Sequence, residues 1–474
     1  MRFRTPGQHR TLDAFREHLR GIDPEFDVER EPEACRARLA RPFVLGGRTL
    51  RNRFAVQPME GWDGTPDGLP TERTLRRWRN FGRSGAALVW GGEAFAVRPD
   101  GRANPNQLCA GLAPDVEGGL RALLAAVREG AAESGGAPPF VGLQLTHSGR
   151  WSRPHGQPVP RIASRHAWLD ARAGVTSDAP VLSDAELEEI ASAYVAAARL
   201  AARVGFDFVD VKACHGYLLH ELLAARERSG RYGGAFENRV RLLLEIAREI
   251  RGACPDLVVA VRLSAADVQP HARNLASGIG EPIAEPVPPG FGARAAEPRE
   301  FDLAEPFRLL GALRSEGVPL INVTLGSPYW CAHLQRPATY PPSDGYLPPV
   351  DPLASVLCHL RTVRACKARF PDLAFVGSGY SYLQEWLPHV AAHEVGAGHV
   401  DFVGLGRMML SYAELPRDVL AGRPLERRRI CRTFSDCTTA PRNGLPSGCY
   451  PLDPEYRESP EAVTLKEIKQ GWSR

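Results

Sequence analysis

Short apolar runs alternate along this chain with longer stretches of helical periodicity, and each run ends in polar or glycine-rich residues. Strands that alternate with crossover helices form a parallel sheet, whose strands are covered on both faces and therefore read as continuous apolar runs. The pattern predicts a (β/α)8 TIM barrel, with its active site on the rim where the strands end. The predicted strands are Arg53–Pro58, Ala86–Gly91, Phe140–Leu145, Asp207–Ala213, Leu257–Ser264, Leu320–Thr324, Leu373–Gly377 and Asp401–Leu405.

Helical periodicity fills the intervals between these runs, and several of the predicted helices begin at a Ser, Thr or Asp cap. Ser183-Asp184-Ala185-Glu186 is a capping-box pattern ahead of an alanine-rich helix. The predicted helices are Glu72–Phe81, Val116–Glu133, Asp184–Val204, Phe236–Arg251, Ala304–Ser315, Leu353–Ala368 and Leu383–Val395.

The chain is longer than a barrel requires. It has 474 residues, whereas such barrels typically have about 250, so we predict insertions and appended segments around a single barrel. Residues 1–38 are predicted to form an N-terminal arm, 39–425 the barrel, and 426–474 a cysteine-bearing C-terminal tail. Two long insertions are predicted on the catalytic rim, 268–300 as a lid or a subunit contact and 327–352 as a substrate wall or a packed surface loop.

Composition and charge argue against several classes of protein. The net charge is +4 and the basic residues are scattered, so we expect no nucleic-acid partner. No run approaches the ~18 apolar residues of a membrane helix, and residues 1–20 lack the apolar core of a secretory signal. We therefore expect a cytoplasmic globular protein that binds a small molecule, makes no membrane contact and forms a homo-oligomer.

The ends of the last two predicted strands favour a phosphate. Gly377-Ser378-Gly379 follows the seventh run, and Gly404-Leu405-Gly406-Arg407 closes the eighth. Glycines let backbone N–H groups approach an anion closely, an arginine adds positive charge, and barrels commonly hold phosphate in these two loops.

The fourth predicted strand carries the most specific motif. It reads Lys212-Ala-Cys-His215-Gly-Tyr217 and is followed by Tyr232-Gly-Gly-Ala-Phe-Glu-Asn238-Arg239. This resembles the flavin-dependent old yellow enzyme (NADH:flavin oxidoreductase) family, whose fourth strand ends in His-x-x-His/Asn-Gly-Tyr. Other segments resemble that family in the same order, and they begin at Asn52, Glu93, Gly142 and Val261.

The resemblance implies a non-covalently bound FMN and a set of residues around it. Gln57, Pro58, Met59 and Ala94 would border the flavin ring, and Gln144 would bond its pyrimidine edge. Arg262 would stand beside N1 and O2, where a cation stabilises the negative charge of the reduced ring. The residues implied for the phosphate are Gly377, Gly379, Gly406 and Arg407.

The resemblance also implies a reaction, the NAD(P)H-dependent reduction of an activated C=C bond in an enone, enoate or enoyl thioester. Tyr217 would donate the proton, while Lys212 and His215 would bind the activating oxygen. One alternative is oxidation of an amine, as in flavin-dependent amine dehydrogenases or demethylases. A second is a non-catalytic barrel that binds a phosphate metabolite.

Two residues depart from the family pattern. Lys212 replaces the first histidine of the motif, and Glu60 stands where relatives have Thr or Cys near flavin O4. An ammonium group would bind a carbonyl oxygen or carboxylate more strongly than imidazole does. A carboxylate near the ring would oppose negative charge on it unless the carboxylate is paired. We therefore predict an ion pair between Glu60 and Lys212 across the substrate face, with both residues in the catalytic set.

Three cysteines near the C-terminus partly match a metal motif. Larger relatives similar to dienoyl-CoA reductase bind a four-iron four-sulfur cluster through Cys-x2-Cys-x3-Cys-x11-Cys. Here Cys431 and Cys437 are separated by five residues, and Cys437 and Cys449 by eleven. Because such clusters ordinarily need four thiolates, we expect no iron–sulfur cluster and no metal, with these three cysteines as the weaker alternative.

Those larger relatives also append dinucleotide-binding domains. This sequence shows no G-x-G-x-x-G motif after a strand beyond the barrel. We therefore expect NAD(P)H to dock directly over the flavin, or an electron-transfer partner to deliver the electrons.

Overall fold

The computed structural model describes residues 3–294, 296–297 and 300–472 of the chain. Eight parallel strands close into a barrel, and they follow one another around the ring in chain order. The predicted (β/α)8 TIM barrel is therefore confirmed. The strands are β1 (Phe54–Val56), β2 (Leu88–Val89), β3 (Phe140–Thr146), β4 (Phe208–Ala213), β5 (Val258–Ser264), β6 (Leu320–Thr324), β7 (Ala374–Gly377) and β8 (Phe402–Leu405).

The ring closes through β2, which pairs with β1 on one side and with β3 on the other. A further strand, Ala94–Ala96, lies outside the ring and pairs with β3. The other strands form two antiparallel hairpins, one of Phe43–Leu45 with Arg48–Leu50 and one of His271–Arg273 with Gly280–Pro282.

Helices cover the outside of the barrel in the predicted intervals, and several of them begin after a capping side chain. Ser183 accepts a hydrogen bond from the backbone N–H of Glu186, and the capping box is complete. The helices in these intervals are Glu72–Arg83, Val116–Glu133, Asp184–Val204, Phe236–Ala253, Ala304–Ser315, Pro352–Arg369 and Leu387–Gly396. The helix Leu415–Leu420 follows β8, where none was predicted.

One helix starts later than predicted. The sequence predicts a helix from Leu383, but an irregular 3-10 segment occupies Tyr380–Trp386, and the α-helix begins at Leu387. Gln384 has a φ of 54°, which ends any regular helix there. Pro388 lies in the first turn of the helix, where its missing N–H costs no hydrogen bond.

Further helices lie in the arm, the loops and the tail. None of the helices in the described residues is both long enough and apolar enough to cross a membrane. These helices are Leu12–Ile22, Pro32–Leu39, Ala167–Ala173, Leu218–Leu223, Ala332–Gln335, Met408–Ser411, Asp436–Arg442, Pro454–Arg457 and Pro460–Trp472, and three short 3-10 helices occupy Pro6–Gln8, Pro99–Gly101 and Gly149–Trp151.

Apolar side chains fill the amino-terminal end of the barrel. Leu45 and Leu50 of the first hairpin belong to one buried cluster with residues from the barrel strands. In that cluster the ring of Phe208 lies 5.4 Å from that of Phe140 and 5.3 Å from that of Trp90. The hairpin and the aromatic rings therefore close this end, and they leave the opposite rim for ligands.

Candidate active site

A cavity opens at the carboxyl ends of the strands. Its volume is about 250 Å³. All four predicted catalytic residues line it. The predicted residues that line the cavity are Glu60, Lys212, His215, Tyr217, Gln57, Pro58, Met59, Gln144, Arg262, Gly379, Gly406 and Arg407.

Two predicted cofactor residues are not among the lining residues. Ala94 is 1% exposed and lies opposite Gln144 in the strand outside the ring. Gly377 is the last residue of β7, and its carbonyl oxygen accepts a hydrogen bond from the Gln57 side chain. Packing between strands therefore occupies both positions.

Two cations stand side by side in the mouth of the barrel. Lys212 on β4 and Arg262 on β5 are opposite each other in the strand register, and both line the cavity. Their exposures are 3% and 7%. Adjacent buried cations repel each other strongly, so this arrangement requires a nearby anion.

Glu60 supplies that anion. Its Oε1 lies 2.5 Å from Lys212 Nζ, so the ion pair predicted from the sequence is present. Its Oε2 accepts hydrogen bonds from the Tyr217 hydroxyl at 2.8 Å and from Trp62 Nε1 at 3.1 Å. One carboxylate thus joins the lysine, the phenol and the indole at the cavity wall.

The Tyr217 phenol is a weaker acid than an exposed tyrosine. Burial, followed by the negative charge of Glu60, raises its pKa well above 10. Lys212 Nζ lies 4.0 Å from the centre of the Tyr217 ring, where a cation stabilises negative charge on the phenol. Tyr217 therefore loses its proton readily only while another group neutralises the charge of Glu60.

His215 has a strained backbone conformation at the end of β4. Its φ is 63° and that of Gly216 is 77°. A left-handed residue other than glycine is uncommon, and such residues concentrate at functional sites. Burial, with the nearby Arg262 and Lys212 charges, lowers the pKa of His215 well below 6.5. The ring is therefore neutral, and its Nε2 has no hydrogen-bond partner among the described residues.

Arg262 is held by its backbone and exposes part of its guanidinium group to the cavity. Its Nη1 donates to the carbonyl oxygen of Pro58 at 3.3 Å, while its Nε has no partner within the described part of the chain. Burial lowers the pKa of Arg262 below its usual value, although an arginine remains charged at neutral pH.

A polar layer lies beneath these residues, and its central member, Asp210, was not predicted from the sequence. Asp210 accepts hydrogen bonds from Gln144 Nε2 at 2.5 Å, from Trp90 Nε1 at 2.7 Å and from the backbone N–H of Arg262 at 2.6 Å. Burial raises the pKa of Asp210 to about 6, and these three hydrogen bonds oppose the rise. The alternation of side chains along the fourth run was the signal available, because Asp210 and Lys212 share one face of the strand.

Gln57 belongs to a second set of hydrogen bonds within the barrel. Its Oε1 accepts from Asn322 Nδ2 at 2.6 Å, and its Nε2 lies 3.2 Å from Ser378 Oγ. Gln57 thus connects β1 to β6 and β7 at the floor of the cavity.

Three arginines lie close together on the cavity wall, and only Arg407 was predicted from the sequence. Arg407 follows β8, whereas Arg336 and Arg442 come from the second insertion and the tail, and all three line the cavity. Burial and the charges of the other two lower the pKa of Arg336 to about 9. Arg407 Nη1 has no hydrogen-bond partner among the described residues. Arg442 is paired with Asp344, whereas the unpaired Arg407 donor beside Arg336 is suited to an anion.

The tail cysteines lie near this anion site. Cys437 lines the cavity, and Cys431 is buried beside Met408. After burial, Cys431 and Cys437 are the main causes that raise the pKa of the Cys449 thiol. The groups of metal-binding side chains with ligand atoms within 4.8 Å of one another in the described residues lie elsewhere.

Comparison with known proteins adds a sequence relationship and a fold relationship. The sequence profile of the NADH:flavin oxidoreductase / NADH oxidase family matches residues 38–279, just over half of the chain. The NADPH dehydrogenase of Bacillus subtilis (strain 168) is 32% identical over 249 residues, which are 51% of this chain and 68% of that protein. Other curated relatives match at similar identity, and the chain spans only 56% to 65% of the length of three of them.

Solved structures share the fold at lower identity. 2-Naphthoyl-CoA reductase in complex with 2-naphthoyl-CoA superposes with a TM-score of 0.67 and 18% identity, over 89% of this chain and 58% of that chain. The old yellow enzyme homologue from Zymomonas mobilis superposes with a TM-score of 0.55 and 20% identity, over 82% of this chain and 93% of that one.

Proposed function

Because the chain belongs to the NADH:flavin oxidoreductase / NADH oxidase family, we propose that it is an FMN-dependent NAD(P)H oxidoreductase that reduces an activated C=C bond. The single observation that supports this best is the convergence of Lys212, His215, Tyr217 and Arg262 on one cavity. An oxygen binder, a proton donor and a buried cation are the groups that such a reduction requires from a protein.

The residues present fit FMN at both of its ends. At one end, Arg262 has an unpaired Nε inside the barrel mouth, suited to a ring that becomes negative on reduction. At the other end, Arg407 has an unpaired Nη1 beside Arg336 and Arg442, suited to a phosphate. When bound, the flavin would supply the hydride that adds to the β-carbon of the substrate.

Lys212 and His215 would bind the oxygen that activates the double bond. The neutral His215 ring offers one N–H donor, and the Lys212 ammonium offers a charged donor. Negative charge develops on that oxygen as the β-carbon is reduced, so donors fixed in a buried site stabilise the transition state more than the substrate. Lys212 has three N–H donors, so it would bind this oxygen while it keeps its contact with Glu60.

Tyr217 would donate the proton to the α-carbon. Its hydroxyl hydrogen is directed to Glu60 Oε2 in the structure, so the proton must leave that hydrogen bond to reach the substrate. Glu60 then lies in position to stabilise the lysine and to return a proton to the phenolate from solvent. In this proposal Glu60 transfers a proton to Tyr217, and Lys212 stabilises the negative charge on the substrate oxygen.

Oxidation of an amine is the second candidate, and the aromatic residues around Glu60 favour it. Trp62, Tyr217 and Tyr329 line the cavity, and the Tyr329 ring stacks on Trp151 with centroids 3.7 Å apart. Aromatic faces beside a carboxylate bind organic cations. Lys212 already neutralises this carboxylate at 2.5 Å, which favours a substrate that bears a carbonyl oxygen over an ammonium substrate.

Anaerobic absorption spectra of the purified protein with added FMN would test the proposal. We expect a flavin spectrum that bleaches with NADH or NADPH and returns when a cyclic enone is added. Bleaching by a primary amine but by neither nicotinamide would support the amine reaction. Protein that remains colourless after FMN addition and dialysis would contradict both and would support a barrel that binds only a phosphate metabolite.

A further inference from the structure

A second cavity lies beside the active-site cavity and shares one wall with it. Its volume is about 200 Å³, and it is lined by parts of the first insertion, of the helix Leu218–Leu223 and of the loop after β3. Within the described residues, Tyr329 alone lines both cavities. The Tyr329 ring stacks on that of Trp151, with centroids 3.7 Å apart. This aromatic pair therefore separates the second cavity from the site of the proposed reaction.

Three buried polar atoms of the residues that line this cavity have no hydrogen-bond partner among the described residues. They are His166 Nε2, His220 Nε2 and Asp267 Oδ1. His220 is 3% exposed and Asp267 is 5% exposed. A polar group that is buried without a partner destabilises the folded protein. These atoms are therefore available to bind a molecule inside the cavity.

The two histidines offer hydrogen-bond donors. The backbone N–H of Gly216 donates to His220 Nδ1 at 2.9 Å, and that of Leu169 donates to His166 Nδ1 at 3.3 Å. A neutral imidazole that accepts a hydrogen bond at one nitrogen carries its hydrogen on the other. Burial lowers the pKa of both histidines to about 4, so both rings are neutral. Each Nε2 is therefore an N–H donor for a ligand.

Asp267 offers both an acceptor and a donor. Its Oδ2 lies 3.5 Å from His220 Nε2 without forming a hydrogen bond. Burial raises the pKa of Asp267 to about 8, so the carboxyl group is largely protonated at neutral pH. A protonated carboxyl has one O–H donor and retains acceptor capacity. The unpaired groups of this cavity are therefore uncharged.

Two arginines in the cavity wall already have partners. Arg150 donates to the two oxygens of Glu221, at 3.0 and 3.1 Å. Arg226 donates to the carbonyl oxygen of Pro289 at 2.7 Å and to Glu305 at 3.1 Å. Because these charges are already paired, the cavity favours an uncharged ligand over an anion.

The rest of the wall is largely aromatic and apolar, with Trp151, Tyr329 and Trp330 among its residues. Faces of this kind bind flat rings, while a few polar groups fix the orientation of the ligand. A carboxamide presents an acceptor oxygen and a donor nitrogen side by side. His220 Nε2 and Asp267 Oδ2 present a donor and an acceptor in the same way, 3.5 Å apart.

From these contacts we propose that the second cavity binds a small, uncharged aromatic carboxamide. The carbonyl oxygen of the ligand accepts a hydrogen bond from His220 Nε2, its amide N–H donates to Asp267, and its ring packs against Tyr329 and Trp330. The site does not depend on the flavin, because none of these polar contacts belongs to the active-site cavity.

Calorimetric titration of the full-length protein with benzamide tests the site. We expect one benzamide per chain, with the same affinity in the presence and absence of added FMN. Ala224→Phe should abolish binding, because Ala224 lines the cavity and the larger side chain would fill it. Ala253→Phe is the matched control, since Ala253 is also half-buried at the edge of the apolar core but is not among the residues that line either cavity.

Asp267→Leu tests the polar contact separately. It should weaken benzamide binding by about tenfold or more, the effect of losing a buried hydrogen bond. It replaces an unpaired buried carboxyl group by an apolar side chain, so we expect no fall in the free energy of unfolding. This variant remains decisive if Ala224→Phe fails to fold, and unchanged affinity in Asp267→Leu would contradict the proposal.

His215→Ala distinguishes the two cavities, because His215 lines the active-site cavity and not the second one. Benzamide affinity should be unchanged in this variant. If His215→Ala loses binding while Ala224→Phe retains it, benzamide occupies the active site and the proposal is wrong. A wild-type protein that binds no benzamide would also overturn it, since water molecules would then satisfy the three unpaired atoms.

Discussion

The two ends of the barrel differ in how their polar side chains are satisfied. At the amino-terminal end, Arg53 donates to three backbone carbonyl oxygens, those of Arg41, Pro42 and Asp401. At the carboxyl end, buried nitrogen atoms of Arg262, His215 and Arg407 have no partner among the described residues. An unpaired buried polar group destabilises the fold. We infer that the amino-terminal end stabilises the barrel, whereas the carboxyl end retains unpaired donors that can bind a ligand.

The layer around Asp210 lies between the two ends and contacts residues of both. Trp90 binds Asp210 and also packs in the apolar cluster below, while Gln144 and Arg262 bind Asp210 and line the cavity above. Changes below this layer should affect stability, and changes above it should affect chemistry.

The largest effect on stability is expected below the layer, for Phe208→Ala. The Phe208 ring is fully buried against Phe140 and Trp90, so its removal should lower the free energy of unfolding by about 3–5 kcal/mol. Urea unfolding followed by fluorescence would measure this. A loss below about 1 kcal/mol would mean that this end does not stabilise the barrel as the comparison requires.

The matching change above the layer is Tyr217→Phe, which removes one hydroxyl and keeps the ring. We expect the reoxidation of reduced flavin by an enone to slow by about 10²–10⁴-fold, because a general acid contributes that much. Reduction by NADPH and the free energy of unfolding should change little. Stopped-flow absorbance of the two half-reactions would separate them, and an equal loss in both would contradict the role as proton donor.

The layer itself should show a dependence of stability on pH. The pKa of Asp210 rises from 3.8 to about 6 on folding, so the folded state binds this proton more tightly. The resulting stabilisation is complete below pH 3.8 and is lost as the pH rises through 6, an effect of about 3 kcal/mol. Unfolding of the wild type and Asp210→Asn between pH 4 and 7 would measure it. Parallel stability curves for the two proteins would contradict the burial of an ionisable acid there.

The smallest of these effects is expected for Arg407→Gln. Loss of one of three guanidinium groups at the anion site should weaken FMN binding about tenfold, with a weaker dependence on salt. Arg314→Gln is the control. Arg314 forms an exposed ion pair with Asp372, with a distance of 2.7 Å, and it does not line the cavity. Fluorescence titration of FMN would compare the two, and equal affinities would contradict a phosphate site at Arg407.

Most of the fold could be predicted because periodicity directly reflects burial on one or both faces. Strand β6 matches its prediction to the residue, as do three of the helices. The late start of the helix at Leu387 could not be predicted in this way, because the left-handed Gln384 depends on tertiary packing. Its side chain accepts hydrogen bonds from Gly7 and Arg432, which belong to the arm and the tail.

The site was predictable where a motif lies on consecutive residues and less so where distant segments meet. The resemblance identified Lys212, His215 and Tyr217 together, and the unusual residue pair indicated the Glu60–Lys212 contact. Arg336 and Arg442 were not predicted, because they lie in an insertion and in the tail. Neither segment has a hydrophobic periodicity that would show which side chains face the cavity. The placement of the flavin itself stays a proposal.

Arg262 and Arg53 lie at opposite ends of the barrel, and substitutions of the two test whether a flavin binds at its carboxyl end. In Arg262→Met and in Arg53→Met, the rate of flavin reduction by NADPH would be measured with saturating FMN under anaerobic conditions. We predict that the rate falls by about 10²–10³-fold in Arg262→Met, because removal of one fixed donor at a developing charge has an effect of that size. The rate should change little in Arg53→Met. Equal rates in the two variants would contradict a flavin at the carboxyl end of this barrel.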